Sequence, residues 1–160
     1  MPLPKPAGTG PVEQIKLDSA ASHILEECRM VLPGIQALFG FQLIAVFNEG
    51  FGEKLSHVEQ LVHLGALVLT VIATVLVMTP AALHRQAEPK QVSERFVWLA
   101  SNILLAAMYP LAVAVVLDVY VVASVVLQSD AIGALLAFAL LLVFIALWIL
   151  VPWREKRRYG

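Results

Sequence analysis

Four long apolar segments, separated by short polar connections, dominate the pattern of hydrophobic and polar positions. They span residues 30–48, 61–83, 96–127 and 131–153. None contains Lys, Arg or Glu, and the only acidic residue within them is Asp118. A helix on a soluble protein keeps a polar face toward water, whereas about 20 apolar residues cross the hydrocarbon core of a bilayer. The pattern therefore predicts four transmembrane helices.

The predicted fold is all-α: an integral membrane four-helix bundle with a short N-terminal amphipathic helix. The segments are continuously apolar rather than alternating, which argues against the strands of an outer-membrane barrel. We expect one membrane domain at residues 13–153, between a disordered tail at residues 1–12 and a basic cytoplasmic tail at residues 154–160. The first tail is rich in proline and glycine and lacks the apolar core of a signal peptide, so we expect no cleavage.

The amphipathic helix is predicted from residues 18–28. Its apolar positions recur at helical spacing, and Asp18 is a residue type that caps helix amino termini. The helix either lies along the inner membrane surface or extends the first span into the cytoplasm. The apolar stripe comprises Leu17, Ala21, Ile24, Leu25 and Cys28.

Basic residues are distributed unevenly between the connections. With the amino terminus inside, ten fall on the cytoplasmic side and only Lys54 falls outside. Lys and Arg in short loops favour the cytoplasmic side of the membrane. We therefore expect a multi-pass protein of the bacterial inner membrane with both termini in the cytoplasm. The ten are Lys5, Lys16, Arg29, Arg85, Lys90, Arg95, Arg154, Lys156, Arg157 and Arg158.

Composition and residue patterns argue against several classes of function. The net charge is −1 with 14% charged residues, and the basic residues are too scattered for a nucleic-acid surface. Cys28 is the only cysteine, and the sequence has no clustered His, Asp and Glu set, nucleophile motif or phosphate-binding glycine loop. We therefore predict no enzymatic activity, metal site or cofactor. The expected partners are the lipid bilayer and either further copies of the chain or a larger membrane protein.

Polar and small residues concentrate in the first span. Arg29, Pro33, Gln36 and Gly40 share one helical face, and Pro33 is expected to kink the helix near Arg29. Gln36 and Gln42 carry amides that are costly to leave unpaired in lipid. One interpretation is a polar path lining a pore or binding site. The other is helix packing, in which Gly34 and Gly40 allow close approach of a neighbouring helix.

The third apolar segment is too long for one perpendicular crossing. As continuous helix it would extend about 48 Å against a hydrocarbon core of about 30 Å. It must tilt, project from the membrane, or break near Asp118. An acid inside a membrane points to proton exchange or cation binding, whereas an acid at the outer interface simply borders a helix. Asn102 could add an oxygen ligand, but it lies about 24 Å away along a straight helix.

The second span contains fewer residues that suggest a functional or structural role. His63 lies near its outer end, where we expect a solvated interfacial histidine. Thr79-Pro80 is expected to kink or end the helix near the inner surface.

The segment RMVLPGIQALFGFQ, residues 29–42, resembles the signature of a family of small bacterial four-span membrane proteins of unknown function. Flanking residues from Glu26, the sequence PAALHR from Pro80 and the region of Asn102 extend the likeness to roughly residues 22–153. Members of that family are sometimes automatically labelled sodium:proton antiporters. The resemblance implies the four-span architecture but no established activity. It also implies a shared core of Arg29, Pro33, Gly34, Gln36, Gly40 and Gln42.

Two functional hypotheses follow. The first is a non-enzymatic membrane component that acts as an oligomer or beside a larger partner. The second is a small cation or proton transporter or channel with Asp118, Gln36, Gln42 and Asn102 along its route. Four spans are few for a carrier, and the two halves show no internal repeat of the kind that many secondary carriers contain. Transport would therefore require an assembly of several copies.

Overall fold

A computed structural model describes residues 11–87 and 91–159 and confirms the all-α, four-helix prediction. Within these ranges every regular element is helical. A π-helical turn at Ala146–Leu150 joins the last two helices. The helices are α1 (Pro11–Val46), α2 (Phe51–Lys54), α3 (His57–Ala87), α4 (Glu94–Leu127), α5 (Asp130–Ile145) and α6 (Val151–Tyr159).

Four helical stretches of the described chain are long and apolar enough to cross a bilayer. Helices α1, α3 and α4 each supply one, and α5 continues through the π-turn into α6 to form the fourth. The connections α1–α3 and α4–α5 lie at one end of the bundle, which we call the acidic end because Glu49, Glu53 and Asp130 lie there. The opposite end, with Arg85, Arg95 and residues 154–158, is the basic end. The chain is a multi-pass membrane protein.

Helix α1 is a single element of 36 residues that passes through Pro33 without interruption. The amphipathic segment 18–28 is therefore part of the first half of the same helix, and the alternative of a separate surface helix was wrong. Residues 1–10 of the predicted tail lie outside the described residues. Pro11 and Val12, the last residues of the predicted tail, lie at the start of α1.

Helices α3 and α4 are also continuous. Of the kink and the helix end considered at Pro80, the end is absent, because α3 continues through Pro80 to Ala87. Helix α4 passes through Pro110 and Asp118 as far as Leu127. The break considered at Asp118 is thus absent, and the 34 residues of α4 extend about 51 Å instead.

The bundle core is formed by α1, α3 and α4, and α5 packs on the outside of α4. The buried positions of α3 alternate in steps of four and three, the heptad spacing of helices that coil around one another. Many are small residues, which allow helix backbones to approach closely in membranes. In order they are Glu59, His63, Ala66, Thr70, Ala73, Val77 and Pro80.

Helix α1 presents the same repeat to the bundle. Ala21, Cys28, Ile35 and Gln42 are buried at seven-residue intervals. A strict seven-residue repeat keeps one seam of a helix against its neighbours over its whole length. Gln42 is the last of these four residues, so its amide is buried in the core at the acidic end.

The start of α3 is fixed by a capping box at Ser56 and Glu59. The backbone N–H of Ser56 donates to Glu59 Oε2 at 2.7 Å, and the backbone N–H of Glu59 donates to Ser56 Oγ at 3.3 Å. This reciprocal pairing satisfies amides that a helix start leaves without partners. It explains why α3 begins before the apolar segment that starts at Leu61.

Candidate functional site

Three polar side chains from three helices meet near the acidic end. Gln42 of α1 donates from Nε2 to Asp118 Oδ2 of α4 at 2.6 Å. His63 of α3 places Nε2 3.0 Å from the backbone carbonyl of Gln42 and Nδ1 3.5 Å from Asp118 Oδ1. Gln42 and His63 are buried, and the Asp118 side chain is 16% exposed. We call these three residues the polar cluster.

Helix periodicity explains why these residues are turned inward. Gln42 occupies the same seam as Ile35, one heptad later, and His63 occupies the heptad seam of α3 between Glu59 and Ala66. The ring of Phe51 contacts the imidazole of His63 edge to face, with centroids 5.4 Å apart. The aromatic contact and the helix seams hold the imidazole in place.

The hydrogen bond to Gln42 determines which nitrogen of His63 carries a proton. A carbonyl oxygen only accepts, so Nε2 must donate to it. In the neutral imidazole the other nitrogen, Nδ1, is then an acceptor. Nδ1 and Asp118 Oδ1 face each other at 3.5 Å, so two acceptors meet unless a proton or another donor lies between them.

Two oxygens of the polar cluster also lack a hydrogen-bond partner among the described residues. They are Gln42 Oε1 and Asp118 Oδ1, both buried. A buried polar atom without a partner costs on the order of 1–3 kcal/mol. Nδ1 of His63 is a third acceptor beside them when the imidazole is neutral.

An apolar cavity of about 380 Å³ adjoins the polar cluster. Its lining contains Gln42, His63 and Asp118, and every other lining side chain is apolar. Its walls come from α1, from α4 and from the α1–α3 connection, where Phe51 and Leu55 contribute. The volume is within the range of small-molecule sites, about 300–1,000 Å³.

A second apolar cavity, of about 460 Å³, also has Asp118 in its lining. It shares Leu38, Asp118, Val122 and Val126 with the first and reaches Leu136 of α5. The two cavities together form a groove that follows α4 between α1 and α5. We call this the α4 groove.

The structure brings together two of the four residues predicted for an ion path and separates the other two. Gln42 and Asp118 are in direct contact. Asn102 is exposed and donates to the Trp98 carbonyl of its own helix at 2.7 Å. Gln36 is exposed on α1 and makes no hydrogen bond with the described residues.

The small-residue motif of α1 does not pack inside the chain. Arg29, Pro33, Gly34 and Gln36 are exposed and Gly40 is half-buried. A β-carbon built on Gly34 or Gly40 would meet no atom within 4 Å. These residues therefore lie on the side of α1 that points away from α3 and α4.

His63 is the site residue that the sequence analysis missed. A solvated interfacial histidine was predicted, but its side chain is only 8% exposed and contacts Asp118. Two sequence signals could have identified it. The Ser56-x-x-Glu59 pattern marks a helix start five residues before the predicted span, and heptad spacing from Ala66 and Thr70 extends back to His63.

The comparisons with known proteins give a family and no activity. No group of three or more His, Cys, Asp or Glu side chains that could hold a metal ion occurs in the part of the chain that the structure describes. No curated protein and no solved structure matches the chain. The profile of a family of unknown function, DUF6328, matches residues 12–152. Since that match covers most of the chain, the protein belongs to the DUF6328 family.

Proposed function

We propose that this protein is a non-enzymatic membrane component that acts as an oligomer, joined through the outward face of α1. The observation that carries the proposal is Gln36. Its amide lies within the apolar segment 30–48, is exposed, and makes no hydrogen bond with the described residues. In hydrocarbon an unpaired amide is costly, whereas two amides from facing helices satisfy each other.

The rest of the α1 face is consistent with self-association. Gly40 lies one turn beyond Gln36 on the same side and leaves space for a close helix approach. Glu26 and Arg29 are exposed near the basic end. Around a two-fold axis, Glu26 of one copy approaches Arg29 of its partner, so the face is self-complementary in charge.

Energy transfer between donor-labelled and acceptor-labelled copies in liposomes tests the proposal. We expect efficient transfer for the wild type and weaker transfer for Gln36→Leu. Asn102→Leu is the matched control, because it also removes an exposed amide from a span, but one already bonded to its own helix. If energy transfer in the wild type is no higher than expected for copies distributed at random in the membrane, the oligomer is excluded.

A second candidate function is cation or proton transport, and the polar cluster favours it. His63 Nδ1 and Asp118 Oδ1 face each other at 3.5 Å, where either a proton or the donor group of a ligand fits between them. The site also adjoins a groove rather than a closed core. Gln36 and Asn102 have no part in this version of the route, because neither contacts the cluster.

Flux in liposomes tests the second candidate. Proton and sodium flux is measured for purified protein under an imposed pH gradient, with Asp118→Asn as the variant. Flux in the wild type that disappears in Asp118→Asn supports transport through the cluster. Undiminished flux in the variant would remove Asp118 from the route, and no flux with correctly inserted wild type would remove the transport function.

We also propose that the protein resides in the inner membrane with both termini in the cytoplasm. The uneven distribution of Lys and Arg supports this orientation, since Lys54 is the only basic residue of the acidic end.

A further inference from the structure

We infer that the α4 groove is a binding site for an organic ammonium ion, an amine with an apolar body whose N–H groups donate to the polar cluster. This site shares Asp118 with the second candidate function, on which the choice of ligand builds, but binding at the site does not require transport. It rests on the acceptors of the cluster and on the shape and chemistry of the groove.

The cluster has the acceptors that an ammonium group needs. A primary ammonium carries three N–H donors and no acceptor, as the lysine head group does. Gln42 Oε1 and Asp118 Oδ1 are buried without a hydrogen-bond partner, and Nδ1 of His63 is an acceptor beside them. Gln42 is only 3% exposed, so its free oxygen cannot turn to water without leaving the core. The Asp118 carboxylate matches the positive charge.

An inorganic cation fits the same place less well. Hard divalent cations take about six or more oxygen ligands. The cavity offers Gln42 and Asp118 as its oxygen-bearing side chains, and the rest of its lining is apolar apart from the imidazole of His63. An ammonium ion needs only the three acceptors, and its carbon skeleton occupies the remaining space.

The apolar lining of the first cavity determines what kind of carbon skeleton the ligand has. The cavity of about 380 Å³ is lined beside the cluster by Leu38, Phe41, Val121 and Val125. A carbon skeleton of matching size packs against these apolar walls. The site therefore selects an amine with an aliphatic or aromatic body over free ammonium, and rejects carboxylates because Asp118 repels them.

Calorimetric titration of the protein in lipid nanodiscs with 2-phenylethylammonium tests the inference. Empty nanodiscs titrated in the same way correct for partition into lipid. We expect saturable binding that is on the order of tenfold weaker for Asp118→Asn and for Gln42→Leu. Gln36→Leu, a glutamine change on the outward face of the same helix, should bind as the wild type does.

Two analogues test the chemistry. Trimethyl(2-phenylethyl)ammonium keeps the charge but has no N–H donor, and phenylacetate keeps the ring but reverses the charge. We expect the first to bind more weakly than the primary amine and the second not to bind. Equal binding of all three would show simple apolar partition into the groove and would overturn the ammonium assignment.

A further variant tests the site even if Asp118→Asn does not fold. Val122 lines both cavities and is 61% exposed, so Val122→Trp fills the groove without changing the polar cluster. Loss of binding in this variant supports the site, and unchanged binding contradicts it. Binding without proton flux would refute transport alone, whereas absent binding in the folded wild type refutes the ammonium site whatever the flux.

Discussion

Gly133 of α5 lies directly against Ser124 of α4. A β-carbon built on Gly133 would stand 2.9 Å from the Ser124 backbone nitrogen and 3.1 Å from its Cα. Backbone atoms cannot move aside as the end of a flexible side chain can, so only glycine fits at this position. Gly133 and Ala137 are the buried residues of α5, and the contact therefore fixes how the fourth span docks on the bundle.

Replacing Gly133 with alanine should push α5 away from α4. Overpacking of this kind costs about 1–3 kcal/mol, and we expect a lower melting temperature in detergent. Gly65→Ala is the control, since a β-carbon there meets no atom within 4 Å and alanine favours helix by about 0.5–1 kcal/mol. Equal melting temperatures for Gly133→Ala and the wild type would contradict the close contact.

Loss of the Gln42 amide should destabilise the bundle. Gln42→Leu leaves the Asp118 carboxylate without its 2.6 Å hydrogen bond, at a cost of about 1–3 kcal/mol. Unfolding in mixed micelles measures the change. The double variant Gln42→Leu with Asp118→Leu removes both partners and should recover part of the lost stability, because no carboxylate is then left unpaired.

Ser56→Ala should loosen the first turn of α3. Loss of an N-cap serine costs about 0.5–2 kcal/mol, and we expect faster hydrogen exchange at the amides that follow Ser56. Ser101→Ala, an exposed serine inside α4, should leave exchange in α3 unchanged. Since α3 carries His63, a frayed start should also weaken the contact between His63 and Asp118.

Orientation is tested with single cysteines in a Cys28→Ala background. We expect a membrane-impermeant thiol reagent to label Lys54→Cys in intact spheroplasts, and to label Arg157→Cys only after permeabilisation. Cys28 is buried, so its replacement changes little of the accessible surface. The reverse labelling pattern would place the basic end outside.

Hydropathy was sufficient to predict the number and type of spans. The continuity of α1 and α4 was harder to predict, because Pro33 suggested a kink and Asp118 a possible break, whereas both helices continue past these residues. The helices are longer than the apolar segments because their polar ends remain helical outside the hydrocarbon region, where hydropathy gives no signal.

The polar cluster shows what the sequence could not supply. Periodicity predicted that Arg29, Pro33, Gln36 and Gly40 share a face, but it could not say whether that face points inward. In a bilayer both lipid and protein interior are apolar, so the hydrophobic effect does not orient a helix as it does in water. Gln42 and Asp118 are distant in sequence, and their contact depends on the register between α1 and α4.

The unbroken course of α1 has a mechanical consequence. From Arg29 to Gln42 the helix forms a stiff arm of about 20 Å, and the part before Arg29 extends toward the basic end, where Gln14 donates to the Val92 carbonyl at 3.3 Å. A tilt of about 10° around Arg29 would carry Gln42 roughly 3 Å, given that length. That displacement exceeds what the hydrogen bond to Asp118 can tolerate. A tilt of α1 imposed at the basic end would therefore separate Gln42 from Asp118 near the acidic end.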